Sequence, residues 1–229
     1  MAIITFENVV KAQEIRKRGK ILRKRKKYLH AINTFSYSIK VNPDNAFAFM
    51  DRGLSYSFNN QNDLAIKDFT ESINLIQENM AYLYNQRGWV HYINDQYDLA
   101  IKDYNESIIL DPNNAEFYHT RGFVYEMSEQ YELAIKDYTE AIKFDEYCYL
   151  GYLDRARVYQ DIKQYKLAIN DYNEVIKDDP DYADAYAWRG EVYLKLGNKD
   201  MAKKDFEKAL NLEHDNEIAL EGIELLDSK

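Results

Sequence analysis

Arginine and aspartate recur in this chain at a fixed interval, which is the first spacing that invites a chemical role. The arginines are Arg18, Arg52, Arg87, Arg121, Arg155 and Arg189, and the aspartates are Asp68, Asp103, Asp137, Asp171 and Asp205. The arginines could form a row that binds a peptide, or they could pair with the aspartates at a seam between helices. We favour pairing at the seam, because a charge that is buried between elements needs an opposite partner.

A basic run near the N-terminus is the second candidate. Arg16–Lys27 has nine basic residues in twelve, and the ten basic and two acidic side chains of residues 1–30 give +8 in a chain whose net charge is −9. Such a cluster attracts nucleic acid or another anionic surface. The run has no interleaved aromatic residue for base stacking, and the acidic remainder repels a long polyanion, so we favour an exposed, charged helix. The basic patch comprises Arg16, Lys17, Lys20, Arg23, Lys24, Arg25, Lys26 and Lys27.

The remaining ionisable residues do not form a catalytic pattern. His30, His91, His119 and His214 are scattered, with no histidine or cysteine four residues on, so no metal site is expected. The glycines form no phosphate-binding cluster. We therefore predict a protein that is not an enzyme and that has no catalytic residue, metal or cofactor.

Residues 81–114 show the elements that position these side chains. Small and aromatic residues recur with spacings of four and three, first as Tyr84, Gly88 and His91 and then as Ala100, Tyr104 and Ser107. These spacings indicate two helices, and the polar residues 94–96 predict the turn between them. Pro112 ends the second helix. We expect Gly88 to face Ala100, so that the two helices approach closely.

The same pattern occurs six times. The glycine position is occupied by Gly19, Gly53, Gly88, Gly122, Ala156 and Gly190, and an aromatic residue follows sixteen positions later as Phe35, Phe69, Tyr104, Tyr138, Tyr172 and Phe206. The predicted repeats are 12–45, 46–80, 81–114, 115–148, 149–182 and 183–216. An extension at 1–11 precedes them. The amphipathic residues 217–229 predict a C-terminal helix that caps the stack.

The period of 34, with an aromatic residue and Arg-Gly in the first helix and Ala-x₃-[Phe/Tyr] in the second, resembles the tetratricopeptide repeat (TPR) family. The resemblance covers about residues 12–216. It implies an all-α fold, an α-solenoid of six helix-turn-helix repeats with a capping helix. One departure is systematic, because arginine stands where the family has leucine before the glycine.

In the TPR family the first helices of successive repeats line a groove that binds peptides or protein segments. The resemblance therefore implies a non-catalytic scaffold for protein–protein interaction. By register, the groove residues are Phe47, Met50, Leu54, Tyr82, Asn85, Trp89, Tyr92, His119 and Phe123. The competing interpretation is that some of these side chains only thicken the core between repeats.

We expect a protein or peptide partner, extended or helical. Two alternatives use the basic run 16–27: binding of nucleic acid or an anionic surface, which we do not favour, and self-assembly against the acidic C-terminal end of a second copy. No apolar stretch approaches the ~20 residues that span a bilayer, and Met1–Phe6 is too short for a signal-peptide core. With a single cysteine, Cys148, no intramolecular disulfide can form, and we predict a cytoplasmic protein.

Overall fold

The computed structural model describes residues 5–76, 80–145 and 149–227, which form thirteen helices and no strand. This all-α helical-repeat architecture confirms the fold class that the 34-residue period predicts. Cys148 and the first four residues of the N-terminal extension lie outside the described residues.

The chain divides into two compact units, Met1–Asn113 and Asn114–Lys229. The helices of the first unit are α1 (Phe6–Lys24), α2 (Tyr28–Val41), α3 (Ala46–Ser57), α4 (Asn62–Leu75), α5 (Met80–Tyr92) and α6 (Tyr97–Leu110). The helices of the second unit are α7 (Ala115–Met127), α8 (Tyr131–Phe144), α9 (Tyr149–Asp161), α10 (Tyr165–Asp178), α11 (Ala183–Lys195), α12 (Lys199–Leu212) and α13 (Glu217–Asp227). Within each unit every odd-numbered helix up to α11 packs most extensively on the even-numbered helix that follows it. The boundaries of the individual repeats stay a prediction.

The turn inside each helix pair contains one residue in the left-handed backbone region. These residues are Lys26, Asn60, Asp95, Glu129, Lys163 and Gly197, with φ between 57° and 77°. In the third pair the turn closes when the Asp95 amide donates to the Tyr92 carbonyl at 2.9 Å and the Gln96 amide donates to the His91 carbonyl at 2.9 Å. The tight reversal requires this conformation, although only Gly197 adopts it without steric cost.

Each helix pair closes on a buried aromatic ring. A Cβ atom added at Gly88 would lie 3.0 Å from the Tyr104 ring, and one added at Gly122 would lie 3.1 Å from the Tyr138 ring. Both rings are fully buried. The glycine therefore makes room for the aromatic ring sixteen residues later, and in the second repeat an added Cβ atom at Gly53 would also lie 3.3 Å from the Ala65 carbonyl oxygen. The facing of Gly88 and Ala100 itself stays a prediction. Ala100 is also fully buried.

The expected C-terminal helix is α13, which packs on α11 and α12. Its buried residues are Ala219 and Gly222. A Cβ atom at Gly222 would lie 2.3 Å from the Phe206 ring, so glycine is what lets α13 seat on α12. Phe206 also lies beneath Gly190 of α11, where an added Cβ atom would be 2.7 Å away. One ring therefore fills the space between the last helix pair and the capping helix.

Candidate functional site

The recurring arginines pair with the recurring aspartates. In α5, Arg87 donates from Nε to Asp103 Oδ2 at 2.8 Å and from Nη2 to Asp103 Oδ1 at 2.7 Å. The same bidentate pair of hydrogen bonds joins Arg52 to Asp68, Arg121 to Asp137, Arg155 to Asp171, and Arg189 to Asp205. The interpretation as charge pairs at the seam between helices is confirmed, and these five arginines are not free to bind a ligand.

The same guanidinium groups also connect successive helix pairs within each unit. Nη1 donates to a side chain of the preceding second helix: Arg52 to Ser36 at 3.0 Å, Arg87 to Thr70 at 3.0 Å, Arg155 to Thr139 at 2.8 Å and Arg189 to Asn173 at 2.6 Å. Arg18 has no counterpart of this pairing, because Thr34 stands where later repeats have aspartate, and its side chain is exposed.

Aromatic rings flank these guanidinium groups. The Arg155 guanidinium carbon lies 5.6 Å from the Tyr152 ring centre and 5.9 Å from the Tyr159 ring centre. Burial, the largest single influence, lowers the pKa of Arg155, but the hydrogen bond to Asp171 and the charge of Asp171 together outweigh burial, so this pKa is raised. The Arg155 guanidinium therefore keeps its charge throughout the physiological range.

Three of the predicted groove residues form an exposed aromatic row on α3 and α5 of the first unit. Phe47, Tyr82 and Trp89 are 42%, 43% and 43% exposed, respectively. Trp89 packs on Tyr92 with ring centres 5.3 Å apart. Helices α3 and α5 are in contact, so the row crosses two neighbouring helix pairs. We call Phe47, Tyr82 and Trp89 the aromatic row.

The other predicted groove residues of this unit lie deeper. Met50 and Leu54 pack against the core cluster that contains Leu83 and Val90. Asn85 is only 2% exposed. These three side chains are therefore less exposed than the aromatic row and belong to the core or its edge.

The two predicted groove residues of the second unit, His119 and Phe123, are half-buried. His119 Nε2 lies 2.8 Å from Asp154 Oδ2. Arg157 bridges two buried carboxylates, with 3.1 Å to Asp154 Oδ1 and 2.7 Å to Glu126 Oε1. His119 thus belongs to a polar network, which makes the first helices of this unit chemically unlike the aromatic row.

A buried tyrosine completes that network. The Tyr138 hydroxyl donates to Glu126 Oε2 at 2.5 Å, and burial followed by the Glu126 charge raises the pKa of Tyr138. Sequence reasoning did not assign Asp154 or Arg157. The alignment of the repeats could have identified Arg157, because it occupies the position that holds Trp89 and Phe123 in earlier repeats.

The basic patch separates into paired and unpaired residues. Arg16 Nε lies 2.5 Å and Arg23 Nη1 3.1 Å from the carboxylate of Asp51, whose side chain is 1% exposed. Arg16 also lies over the Phe47 ring, 5.0 Å from its centre. The other six residues are exposed: Lys17, Lys20, Lys24, Arg25, Lys26 and Lys27.

A surface cleft beside the patch brings in aromatic residues. Lys20, Lys24 and Lys26 line it together with Ile21, Tyr28 and Phe58. Tyr28 and Phe58 stack with ring centres 5.5 Å apart and an interplanar angle of 16°. The basic run itself has no aromatic residue, but Tyr28, which follows it, and Phe58, from the end of α3, bring two rings to this surface. We call this feature the basic-aromatic cleft.

Among the described residues, no group of three or more His, Cys, Asp or Glu side chains is arranged to hold a metal ion. None of the described helices combines the length and the apolar character that crossing a membrane requires.

Solved structures share the fold. YrrB, described as a TPR protein with an unusual peptide-binding site, aligns with a TM-score of 0.68 and 20% identity over 83% of this chain and 97% of its own. MamA aligns with 0.67 and 25% identity over 72% and 96%. PilW, described as a widely conserved type IV pilus biogenesis factor, aligns with 0.76 and 16% identity over 93% and 97%.

Family models agree with the structural likeness. A model described as TPR repeat matches residues 88–129 and 156–197, and two described as tetratricopeptide repeat match 115–148 and 183–216. None of the curated proteins compared with the chain matches it. The matched residues, 88–148 and 156–216 taken together, make up just over half of the chain and fall within helices α5 to α12 and the turns between them. The chain belongs to the tetratricopeptide repeat family.

Proposed function

We propose that this protein is a non-catalytic scaffold that binds a peptide or protein segment along the aromatic row. The TPR fold is typical of protein–protein interaction. The observation that carries the proposal is the joint exposure of Phe47, Tyr82 and Trp89 on two first helices that contact each other. Exposed aromatic patches of this kind usually mark sites of interaction with a partner.

The chemistry of the row indicates what it binds. Tyrosine and tryptophan supply a large contact area with few rotatable bonds, and binding energy concentrates in such residues. The partner segment therefore carries apolar anchor residues, and it is extended or helical. YrrB, which shares the fold, has a peptide-binding site according to its description.

The test compares two side chains of equal exposure. Partners are captured from a lysate of the source organism on the immobilised chain, and the bound segment is then titrated against purified variants. Trp89→Ala should weaken binding by about 2 kcal/mol, roughly 30-fold, if Trp89 is a central anchor. Leu99→Ala removes an exposed apolar side chain from α6 of the same unit and is the matched control. Equal dissociation constants for the parent, Trp89→Ala and Tyr82→Ala would overturn the proposal.

A second candidate function uses the basic patch to bind nucleic acid or another anionic surface. Its supporting observation is the basic-aromatic cleft, which offers both cations and a stacked ring pair. Fluorescence anisotropy with a labelled single-stranded oligonucleotide tests it, since such binding falls steeply with salt. Binding at the aromatic row should change little over the same salt range.

We also propose a cytoplasmic location, in keeping with the single cysteine of the chain. Immunodetection in fractionated cells tests this location. Recovery of the protein in an extracytoplasmic fraction would contradict it.

A further inference from the structure

One face of α1 carries a stripe of exposed lysines around an aliphatic side chain. Lys17, Lys20, Ile21 and Lys24 are spaced by three, one and three residues, which places them on one helical face. Ile21 is 54% exposed. Among the described residues, no carboxylate lies within ion-pair distance of these three lysines. We call this set the lysine stripe.

The lysine stripe borders an apolar floor. Ile21, Lys20 and Lys24 line the basic-aromatic cleft, whose far side is formed by Phe58. The Phe58 ring is 60% exposed although it stacks on Tyr28. The surface thus combines unpaired positive charges with apolar area that a bound partner would remove from water.

The exposed face of α13 has the same spacing and the opposite charge. Glu217, Leu220, Glu221 and Glu224 are exposed and are again separated by three, one and three residues. Leu220 is 45% exposed, and the next leucine on this side, Leu225, is 52% exposed. No cation among the described residues lies within ion-pair distance of these three glutamates. We call this set the glutamate stripe.

We propose that α13 of one copy docks on the lysine stripe and the basic-aromatic cleft of a second copy. Each stripe extends over eight residues, and its first and last members are separated by seven residue steps, about 10.5 Å along the helix. Three carboxylates can therefore face three ammonium groups in register. Leu220 and Leu225 would cover the apolar area of Ile21 and Phe58. The opposite face of α13 stays seated on α12 through Gly222.

Charge favours this occupant over a nucleic acid. The chain carries a net charge of −9, so a long polyanion is repelled outside the basic patch, whereas α13 presents three carboxylates in a short segment. A nucleic acid also offers little aliphatic surface to set against Ile21, apart from the methyl group of thymine. The surface is distinct from the aromatic row, so the proposal stands or falls independently of the proposed function.

The association should be weak and sensitive to salt. A single short helix in a cleft buries less than the roughly 1,200 Å² at which stable interfaces begin. Exposed ion pairs are screened over about 8 Å at physiological ionic strength. We therefore expect dissociation constants in the micromolar range or above. Because the two stripes are different surfaces, each copy can bind one neighbour at each.

Sedimentation velocity of the full chain tests the proposal, at protein concentrations from about 5 to 500 µM. At about 50 mM salt the weight-average sedimentation coefficient should rise with concentration, and at about 500 mM salt it should stay at the monomer value. The variant K17E/K20E/K24E should remain monomeric at low salt, and so should E217K/E221K/E224K, with association weakened at least about tenfold.

The sixfold variant, which combines K17E/K20E/K24E with E217K/E221K/E224K, gives the most specific test. It exchanges the two stripes, keeps the net charge at −9 and should associate again. K67E/K102E/K136E, which reverses three exposed lysines on second helices, is the matched control and should associate like the parent. Circular dichroism melts establish that every variant is folded.

Three results would overturn the proposal. The first is a parent that stays monomeric over the whole concentration range at low salt. The second is association that the sixfold variant fails to recover although it is folded. The third is a monomeric parent that binds a labelled oligonucleotide or anionic vesicles through Lys20 and Lys24, which would assign the cleft to an anionic ligand.

Discussion

At the scale of the residue, each of the five arginines that pair with an aspartate contacts several groups at once. Arg155 donates twice to Asp171, once to Thr139, and lies between the Tyr152 and Tyr159 rings. The aspartate is buried, at 5% exposure. Arginine suits this position better than lysine, because a planar guanidinium can form a bidentate contact and stack on rings simultaneously.

Removing one member of such a pair should be far worse than removing both. Arg121→Leu restores the usual family residue but leaves the buried Asp137 carboxylate without its partner, so we expect a loss of about 3–5 kcal/mol. Arg121→Leu with Asp137→Leu should recover most of that loss. Urea unfolding of the four members of the cycle measures the coupling. A coupling energy near zero would mean that Arg121 and Asp137 do not stabilise each other and behave as two independently solvated charges.

Two buried tyrosines predict how stability changes at alkaline pH. Burial, followed by the Glu126 charge for Tyr138 and the Glu191 charge for Tyr172, raises the pKa of both rings. The folded state therefore keeps protons that the unfolded chain releases above its ordinary pKa of about 10. Their stabilising effect is complete below pH 10, and the free energy of unfolding should then fall by about 1.4 kcal/mol per pH unit for each ring.

Tyr172→Phe provides the comparison. Its only hydroxyl hydrogen bond among the described contacts is a long one of 3.3 Å to Gln160, so the variant should fold. Urea unfolding is measured at several pH values between 9 and 11. The free energy of unfolding should fall less steeply with pH in the variant than in the parent, by the contribution of one tyrosine. Parallel pH dependences for the parent and the variant would contradict the assignment.

At the scale of the element, the aromatic ring of each second helix sets the distance to its neighbours. Gly88 and Gly122 admit one such ring each, while Phe206 is enclosed by Gly190 on one side and Gly222 on the other. The family pattern thus continues one step beyond the last repeat, since α13 uses a glycine in the same way as a first helix does.

Gly222→Val should displace α13 from α12. The new side chain would begin 2.3 Å from a ring that has no exposed surface into which it could move. Overpacking of this kind costs about 1–3 kcal/mol. Leu225→Val, on the exposed face of the same helix, is the control and should change stability by less than about 0.5 kcal/mol. Thermal unfolding followed by circular dichroism compares the two; equal midpoints would show that α13 does not depend on this contact.

How far sequence reasoning reached can be judged from particular side chains. Positions that repeat, such as Gly88, Tyr104 and Arg87, carry a signal in every unit, and so the helix pairs and the fold were predictable. The ring that lies nearest to Gly88, Tyr104, was not identified as its closest neighbour, because spacing along a helix gives a face but not the nearest atom. Phe58 in the cleft and Asp154 beside His119 were missed. The contact between His119 and Asp154 joins the same two register positions as that between Arg16 and Asp51, but the residue types at these positions change from repeat to repeat.

At the scale of the whole molecule, the chain has two compact units, each with its own core clusters. In the first, Phe69 and Leu83 are central to one cluster, and in the second, Tyr172 and Leu153 are central to another. In repeat proteins, stability is close to a sum of terms for each repeat and for its contacts with neighbours. Damage in one unit should therefore stay local.

Ala134→Phe tests that locality. Ala134 is fully buried in the second unit, so the larger ring should cost about 1–3 kcal/mol by forcing α7 and α8 apart. Hydrogen exchange monitored by mass spectrometry should show faster exchange in α7, α8 and α9, with α1–α4 unchanged. Uniform acceleration over both units would instead indicate a single cooperative structure.

The hydrogen bonds from Nη1 give the chain a direction, which has a consequence for its synthesis. Arg52 and Arg189 each reach back to a second helix that precedes them in sequence, at Ser36 and Asn173. On the ribosome, a 34-residue repeat emerges every ~2–7 s, whereas helices form within microseconds. Each new arginine therefore leaves the exit tunnel after its acceptor. Once about three repeats have emerged and form a stable core, the nascent chain can add further repeats one at a time.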